Sequence, residues 1–291
     1  RPMDGAARMT LPAGEAELVL IDLADEPTVV ERLRLDGMYT DARLVGSTAR
    51  VVLRSTPRLP MVYPDHERSE DDAMDENLRV LRESTIDDWV PHFVHEADGV
   101  ERSGALVGCT DISHPEDYSG TGMLSIVSVD LDRGLQPSDT VSVLGDGQTV
   151  YATGESLYIA HGGRWWLPDG GGTEVHKFGI GGSGRPEYRA SGAVEGWLLN
   201  QYAMSEHEGY LRVATTTEDF RRPMRLEDGP TSESQVVVLA ERDGELEVVG
   251  RVGGLGKGER IYAVRFMGPI GYVVKFSETD HLYTIDLSNP T

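Results

Sequence analysis

The sequence predicts an all-β fold, a β-propeller of four-stranded antiparallel blades interrupted by one helical insertion. Three observations carry this expectation. First, five segments end alike: ELVLIDLADEP around Asp22, MLSIVSVDLD around Asp130, TEVHKFGI around Gly179, SQVVVLAE around Ala240 and HLYTIDLSNP around Asp286. Second, the intervals between positions 130, 179, 240 and 286 are 49, 61 and 46 residues, and the 108 between 22 and 130 hold one such period plus an insertion. Propeller blades recur at about 40 to 50 residues with four strands each. Third, each period contains short alternating or apolar runs separated by turn residues, as a blade requires.

In chain order, residues 1–15 read as an N-terminal tail and residues 16–56 as the first blade strands. There TDARLVG and ARVVLRS form an inner pair, whose outer pair, MLSIVSVD and DTVSVLG, comes only after the insertion. Residues 57–120 are that helix-containing insertion. In SEDDAMDENLRVLRES, Ser69 to Ser84, acidic residues lead, arginines follow, and Met74, Leu78 and Leu81 fall at helical spacing. This pattern predicts an amphipathic helix behind a serine cap.

Residues 121–291 carry the further blades. One is read from TVYAT, SLYIA, EVHKFGI and EYRASGAV, and the next from WLLNQYAM, YLRVATT, VVVLAE and LEVVGRV. IYAVRF, YVVKF and LYTIDL open a last one, so about four repeats are visible.

Two glycine-rich stretches need explanation. Gly179, Gly181 and Gly184 have G-x-G-x-x-G order, but Pro186 and a β-like run follow where a dinucleotide site needs a helix N-terminus. In GRVGGLGKGER, Arg251 stands where a phosphate loop needs its first glycine, and Gly258 where it needs Ser or Thr. Both stretches therefore read as connections, Gly179–Gly184 between the third and fourth strands of a blade and Gly253–Gly258 between one blade and the next. No cofactor is expected.

The stretches STIDDWVPHF, CTDISHPEDYSGTGMLSI, GDGQTVYATGESLYIAHGGRWW, LLNQYAMSEHEGYLRVATTT and VGRVGGLGKGERIYAVRFMGPIGYVVKF, with HKFGI, SESQVVVL and TDHLYTIDLSNP, carry a family resemblance. From about Ala16 onward the chain resembles the secreted bacterial and archaeal proteins with a C-terminal β-propeller domain, distantly similar to WD40 propellers. The resemblance implies a propeller fold and an extracellular or cell-surface location, and it brings no catalytic motif. The chain stops at DLSNPT where the family pattern continues into P-x-V-x-G-E-L, so a partial propeller with further blades beyond Thr291 is expected.

Composition narrows the partners. Asp and Glu number 49 against 27 Lys and Arg, a net charge of −22. Such a surface repels phosphate backbones and anionic lipid, which argues against nucleic-acid and membrane-surface partners. No apolar run approaches the roughly 18 residues of a membrane-spanning helix. The one cysteine, Cys109, is expected to be a small buried thiol.

Several side-chain groups are candidates for chemistry. GGRWW places Arg164 beside Trp165 and Trp166 at a strand end, the composition of an interaction hot spot. Asp111, His114, Glu116 and Asp117 gather in TDISHPEDYSG, where they suggest a polar binding corner without the residue order of an EF-hand loop. His92 and His95 share a helical spacing but lack zincin spacing and a third strong ligand, and no metal site is expected. Ser205 and His207, flanked by Glu206 and Glu208, invite a nucleophile reading, yet sequence neighbours rarely form a triad and no G-x-S-x-G elbow is present.

The sequence thus points to a non-catalytic extracytoplasmic propeller that binds a protein or a cell-surface glycan. The competing expectation is a propeller-based hydrolase of polysaccharide or peptide, with carboxylates such as Asp111 and Glu116 at its top face.

Overall fold

Two strand hairpins open the described part of the chain, which a computed structural model covers at residues 14–116, 119–162, 172–182, 184–217, 232–256, 258–275 and 282–291. β1 (Glu15–Asp22) pairs with β2 (Thr28–Asp36), and β3 (Met38–Val45) pairs with β4 (Thr48–Ser55). The chain then leaves both hairpins through α1 (Glu70–Glu83) and the single turn α2 (Ile86–Trp89). It returns as β5 (His92–Ala97) and β6 (Val100–Ala105), and β5 pairs with β2. After β7 (Ile112–Ser113), β8 (Met123–Asp130) pairs with β4, and β9 (Pro137–Leu144) pairs with β8. The result is two interleaved antiparallel sheets, β1-β2-β5-β6 and β3-β4-β8-β9, the second carrying β7 at its edge by a parallel bridge. Leu33, Leu35, Val51, Leu53, Val127 and Val129 form the shared core of this unit, residues 1–145.

The delayed outer pair is where the sequence places it, but the insertion holds more than a helix. His92 to Ala105 is a hairpin turning at Asp98 and Gly99 with φ of 51° and 74°, the paired positive values that suit a two-residue hairpin turn. This overturns the shared helical face for His92 and His95, because a strand places them at i and i+3 on opposite sides.

The helix and its cap stand as expected. The Ser69 hydroxyl accepts from Asp72 N–H at 3.1 Å while the Asp72 carboxylate accepts from Ser69 N–H at 3.4 Å. Its inward face differs, for Met74, Leu78 and Leu81 are exposed whereas Ala73 and Val80 are buried. Asn77 holds the chain before the helix, its side chain accepting from the Val62 N–H and donating to the Val62 carbonyl, each at 2.8 Å. Cys109 is exposed rather than buried, because it begins a short 3-10 turn, Cys109–Asp111, at the surface.

The second unit, residues 146–291, is built by the same rule without interleaving. β10 (Thr149–Ala152), β11 (Ser156–Gly162), β12 (Gly172–Gly179) and β13 (Glu187–Glu195) form one antiparallel blade. β14 (Met204–His207), β15 (Tyr210–Thr217), β16 (Glu233–Arg242) and β17 (Glu245–Leu255) form the next. A three-stranded sheet follows, β18 (Ile261–Met267), β19 (Ile270–Lys275) and β20 (Leu282–Asp286).

The two blades touch where Ser191 of β13 bridges Glu245 of β17. Gly192 permits this approach, since a Cβ there collides with the Leu246 carbonyl oxygen. WLLNQYAM becomes a strand only from Met204, because Gln201–Ala203 winds into a 3-10 turn capped by Asn200, whose Oδ1 accepts from Tyr202 N–H at 2.9 Å.

The first glycine stretch is a connection, as expected, leading from Gly179 at the end of β12 to β13. The second is one only in part: Gly253 and Gly254 lie inside β17, which runs on to Leu255, and the link to β18 begins at Gly256. At Gly256 φ is +70°, a conformation that calls for glycine.

The register confirms the repeat at single-residue level. Asp130, Gly179, Ala240 and Asp286 pair with Thr48, Ser156, Tyr210 and Ile270, each the first residue of the second strand of its sheet. Two residues inward, the matching second-strand positions are Arg50, Tyr158, Arg212 and Tyr272. Each is a long side chain with a polar end, and in three of the four sheets that end is buried: Arg50, Tyr158 and Arg212 are each less than 5% exposed.

Candidate functional site

Of these equivalent positions, Arg212 borders a cavity. It is on β15 between Ser205 of β14 and Val238 of β16. Nη1 donates to the Gly268 carbonyl at 2.6 Å, Nη2 donates to Ser205 Oγ at 2.8 Å, and the guanidinium carbon lies 4.9 Å from the centre of the Phe266 ring. Gly268 lies in the β18–β19 turn and Phe266 on β18, so two sheets fix one side chain.

Arg212 Nε is buried and makes no hydrogen bond, and among the described residues no carboxylate comes within ion-pair distance of the guanidinium. Burial pulls its pKa below the ordinary arginine value. The adjoining cavity is about 260 Å³ and is lined by His207, Glu208, Tyr210, Pro269, Leu287 and Pro290 among others. The arrangement is a fixed, uncompensated guanidinium in the wall of a cavity with both polar and apolar lining, which suits recognition of an anion.

A second cluster shows what a compensated cation looks like in the same unit. Lys177 of β12 is 8% exposed, and its Nζ is 2.9 Å from Glu241 Oε2 and 3.9 Å from Glu206 Oε1. Nζ also lies 5.4 Å from the centre of the Tyr158 ring. Glu241 also accepts from Arg189 Nε at 3.1 Å. Burial raises the Glu241 pKa, but the bonds and charges of Lys177 and Arg189 more than offset this and hold it below the ordinary value. Burial pushes the Tyr158 hydroxyl upward, so it stays protonated. This network joins the two blades and is engaged within the protein.

The first unit has its own buried pair. Glu31 Oε2 accepts from Leu135 N–H at 2.7 Å and meets His95 Nε2 at 2.8 Å. The Leu135 bond, then His95, hold the Glu31 carboxyl below its ordinary pKa against the opposing effect of burial.

Arg164, Trp165, Trp166 and Asp117 lie outside the described residues. Asp111 ends the Cys109–Asp111 turn and is half-buried, while His114 and Glu116 are exposed on the loop before β8. His114 Nδ1 donates to the Pro115 carbonyl at 2.9 Å, a bond local to its own loop. Among the described residues no three His, Cys, Asp or Glu side chains converge as metal ligands. Ser205 is engaged by Arg212, and no hydrogen bond links it to His207.

Sequence reasoning missed Arg212. Its signal was the recurrence of arginine at equivalent second-strand positions, in ARVV and LRVA.

The model of the beta propeller domain family matches residues 2–291. An uncharacterized protein of Methanocaldococcus jannaschii is 52% identical over 100 residues, 34% of this chain and 15% of that protein. An uncharacterized protein of Archaeoglobus fulgidus is 41% identical over 118 residues, 40% of this chain and 16% of that protein. The matches thus span about a sixth of the length of these archaeal relatives.

Among solved structures, the beta-propeller domain of the Trilobed protease from Pyrococcus furiosus is 11% identical with a TM-score of 0.25, covering 86% of this chain and 81% of that one. Pyrococcus horikoshii acylaminoacyl peptidase is 12% identical with a TM-score of 0.27, covering 86% of this chain and 45% of that one.

Proposed function

We propose, from the premise that the chain belongs to the beta propeller domain family, that it is a non-catalytic binding scaffold whose Arg212 cavity holds part of a partner. The observation that carries this reading is a buried guanidinium satisfied only by a carbonyl, a hydroxyl and a ring face, in the wall of a cavity. An unpaired buried charge costs several kcal/mol. A ligand that supplies the missing anion turns that cost into affinity. The resemblance to secreted propeller proteins supports a site of action outside the cytoplasm, and a net charge of −22 favours neutral or basic partners.

The test sets equilibrium binding to peptide and glycan arrays beside a turnover screen with peptidase and glycosidase substrates. Saturable binding without turnover is the expected result. Turnover that survives Arg212→Met and is abolished by Asp111→Asn or Glu116→Gln replaces the scaffold with the hydrolase.

A further inference from the structure

Resting on that reading, we propose that the Arg212 cavity captures the C-terminal carboxylate of an extended peptide whose neighbouring residues are neutral or basic. Four observations converge on this chemistry.

The guanidinium is held in one orientation by Gly268, Ser205 and Phe266 before any ligand arrives, so little side-chain freedom is lost on binding. Two of its five N–H groups are used in these bonds, and the Nε–H is buried without a partner. A carboxylate forms charge-assisted bonds with guanidinium N–H groups, about twice as strong as neutral ones.

The cavity volume of about 260 Å³ accommodates a terminal carboxylate with one small or medium side chain and excludes a folded surface. Val238, Leu287, Pro269 and Pro290 present apolar surface for that side chain, whereas a sugar acid needs hydrogen-bonding partners for its ring hydroxyls.

Glu208 adds a selective element at the cavity wall. It is exposed, at φ +51° in the β14–β15 turn, where the backbone holds it close to Tyr210. Its negative charge opposes a second anion and favours a cationic residue just before the terminus. A dianionic phosphate is disfavoured for the same reason. The acidic surface of the whole chain acts in the same direction at longer range.

The experiment is fluorescence anisotropy on the 291-residue chain with a labelled hexapeptide of alternating lysine and alanine ending in valine. It is made once with a free terminal carboxylate and once as the carboxamide. The acid is expected to bind about tenfold or more tightly than the amide, as loss of a charged hydrogen-bond partner implies. Arg212→Met is expected to abolish the preference. Ser288→Trp, an exposed position at the cavity, is expected to block binding without touching the core.

Equal binding of acid and amide overturns the proposal, as does an Arg212→Met protein of unchanged melting temperature that keeps the preference. Displacement of the peptide by inorganic phosphate or glucuronate as readily as by acetyl-valine also overturns it. Array ligands whose binding Ser288→Trp leaves unchanged refute this site, and with it the Arg212 cavity as the scaffold's contact, while a non-catalytic binding role stands. Turnover without binding sinks the scaffold reading itself.

Discussion

Replacing Lys177 by methionine isolates the ion network that joins the two blades of the second unit. Methionine keeps most of the apolar stem and loses the ammonium with its contact over Tyr158, so charge and hydrogen bonding are the main loss. Glu241 retains Arg189 Nε at 3.1 Å, and this limits the damage on that side. Glu206 is worse placed: its nearest cation is lost, leaving the Thr153 hydroxyl at 3.3 Å and the Tyr151 hydroxyl accepting its N–H at 3.0 Å. Removing one partner of a buried pair costs about 3–5 kcal/mol, and the surviving Arg189 contact puts Lys177→Met near the lower end, about 3 kcal/mol. At about 2–4 °C per kcal/mol for a unit of this size, melting falls by about 6–12 °C. Urea unfolding followed by tryptophan fluorescence, with calorimetry, measures both. Adding Glu206→Gln removes the stranded charge and restores about 1 kcal/mol, a coupling read directly from the double-mutant cycle. A Lys177→Met protein within about 0.5 kcal/mol of the parent, or a double variant with no recovery, refutes the argument.

Three further outcomes are expected. Ser69→Ala removes the capping hydroxyl of α1 and costs about 1 kcal/mol in urea unfolding, while Ser69→Asn costs far less. Glu31 has a depressed folded pKa, so its contribution is complete above its unfolded value, about 4.3, and is lost as pH falls through the lower folded value. The Glu31→Gln protein is therefore less stable at neutral pH and shows a flatter acid limb in stability measured from pH 7 to pH 2. Gly134→Ala strains a residue at φ +90° and drives a Cβ into the Glu31 carboxylate, so it lowers stability by about 1–3 kcal/mol and flattens the same acid limb.

Much of this architecture was legible because four anchors, Asp130, Gly179, Ala240 and Asp286, recur against the first residues of four second strands. Strand alternation and blade period are local, additive signals. The β5–β6 hairpin was harder to see, since Pro91 and a run of charged residues obscure its alternation. Its Asp98-Gly99 pair is nevertheless a recognised turn signal.

The inward face of α1 was misjudged because the helix turns Ala73 and Val80 inward, with Asn77 bonded twice to Val62, while Met74, Leu78 and Leu81 stay exposed. Arg212 was invisible for a related reason. In YLRVATTT an arginine between apolar neighbours reads as a solvent-facing strand position, and only the packing of β18 across it makes that face interior.

The interleaving of the first two sheets has a consequence for synthesis. Leu33 pairs with His95 and Val52 with Ile126, so each early hairpin waits for a partner 62 or 74 residues further along. At about 5–20 residues per second, the ribosome needs about 4–15 s to deliver the second partner. Through that interval the nascent chain presents open β2 and β4 edges rich in Val and Leu, the surface on which cotranslational chaperones act and neighbouring polysomal chains tangle.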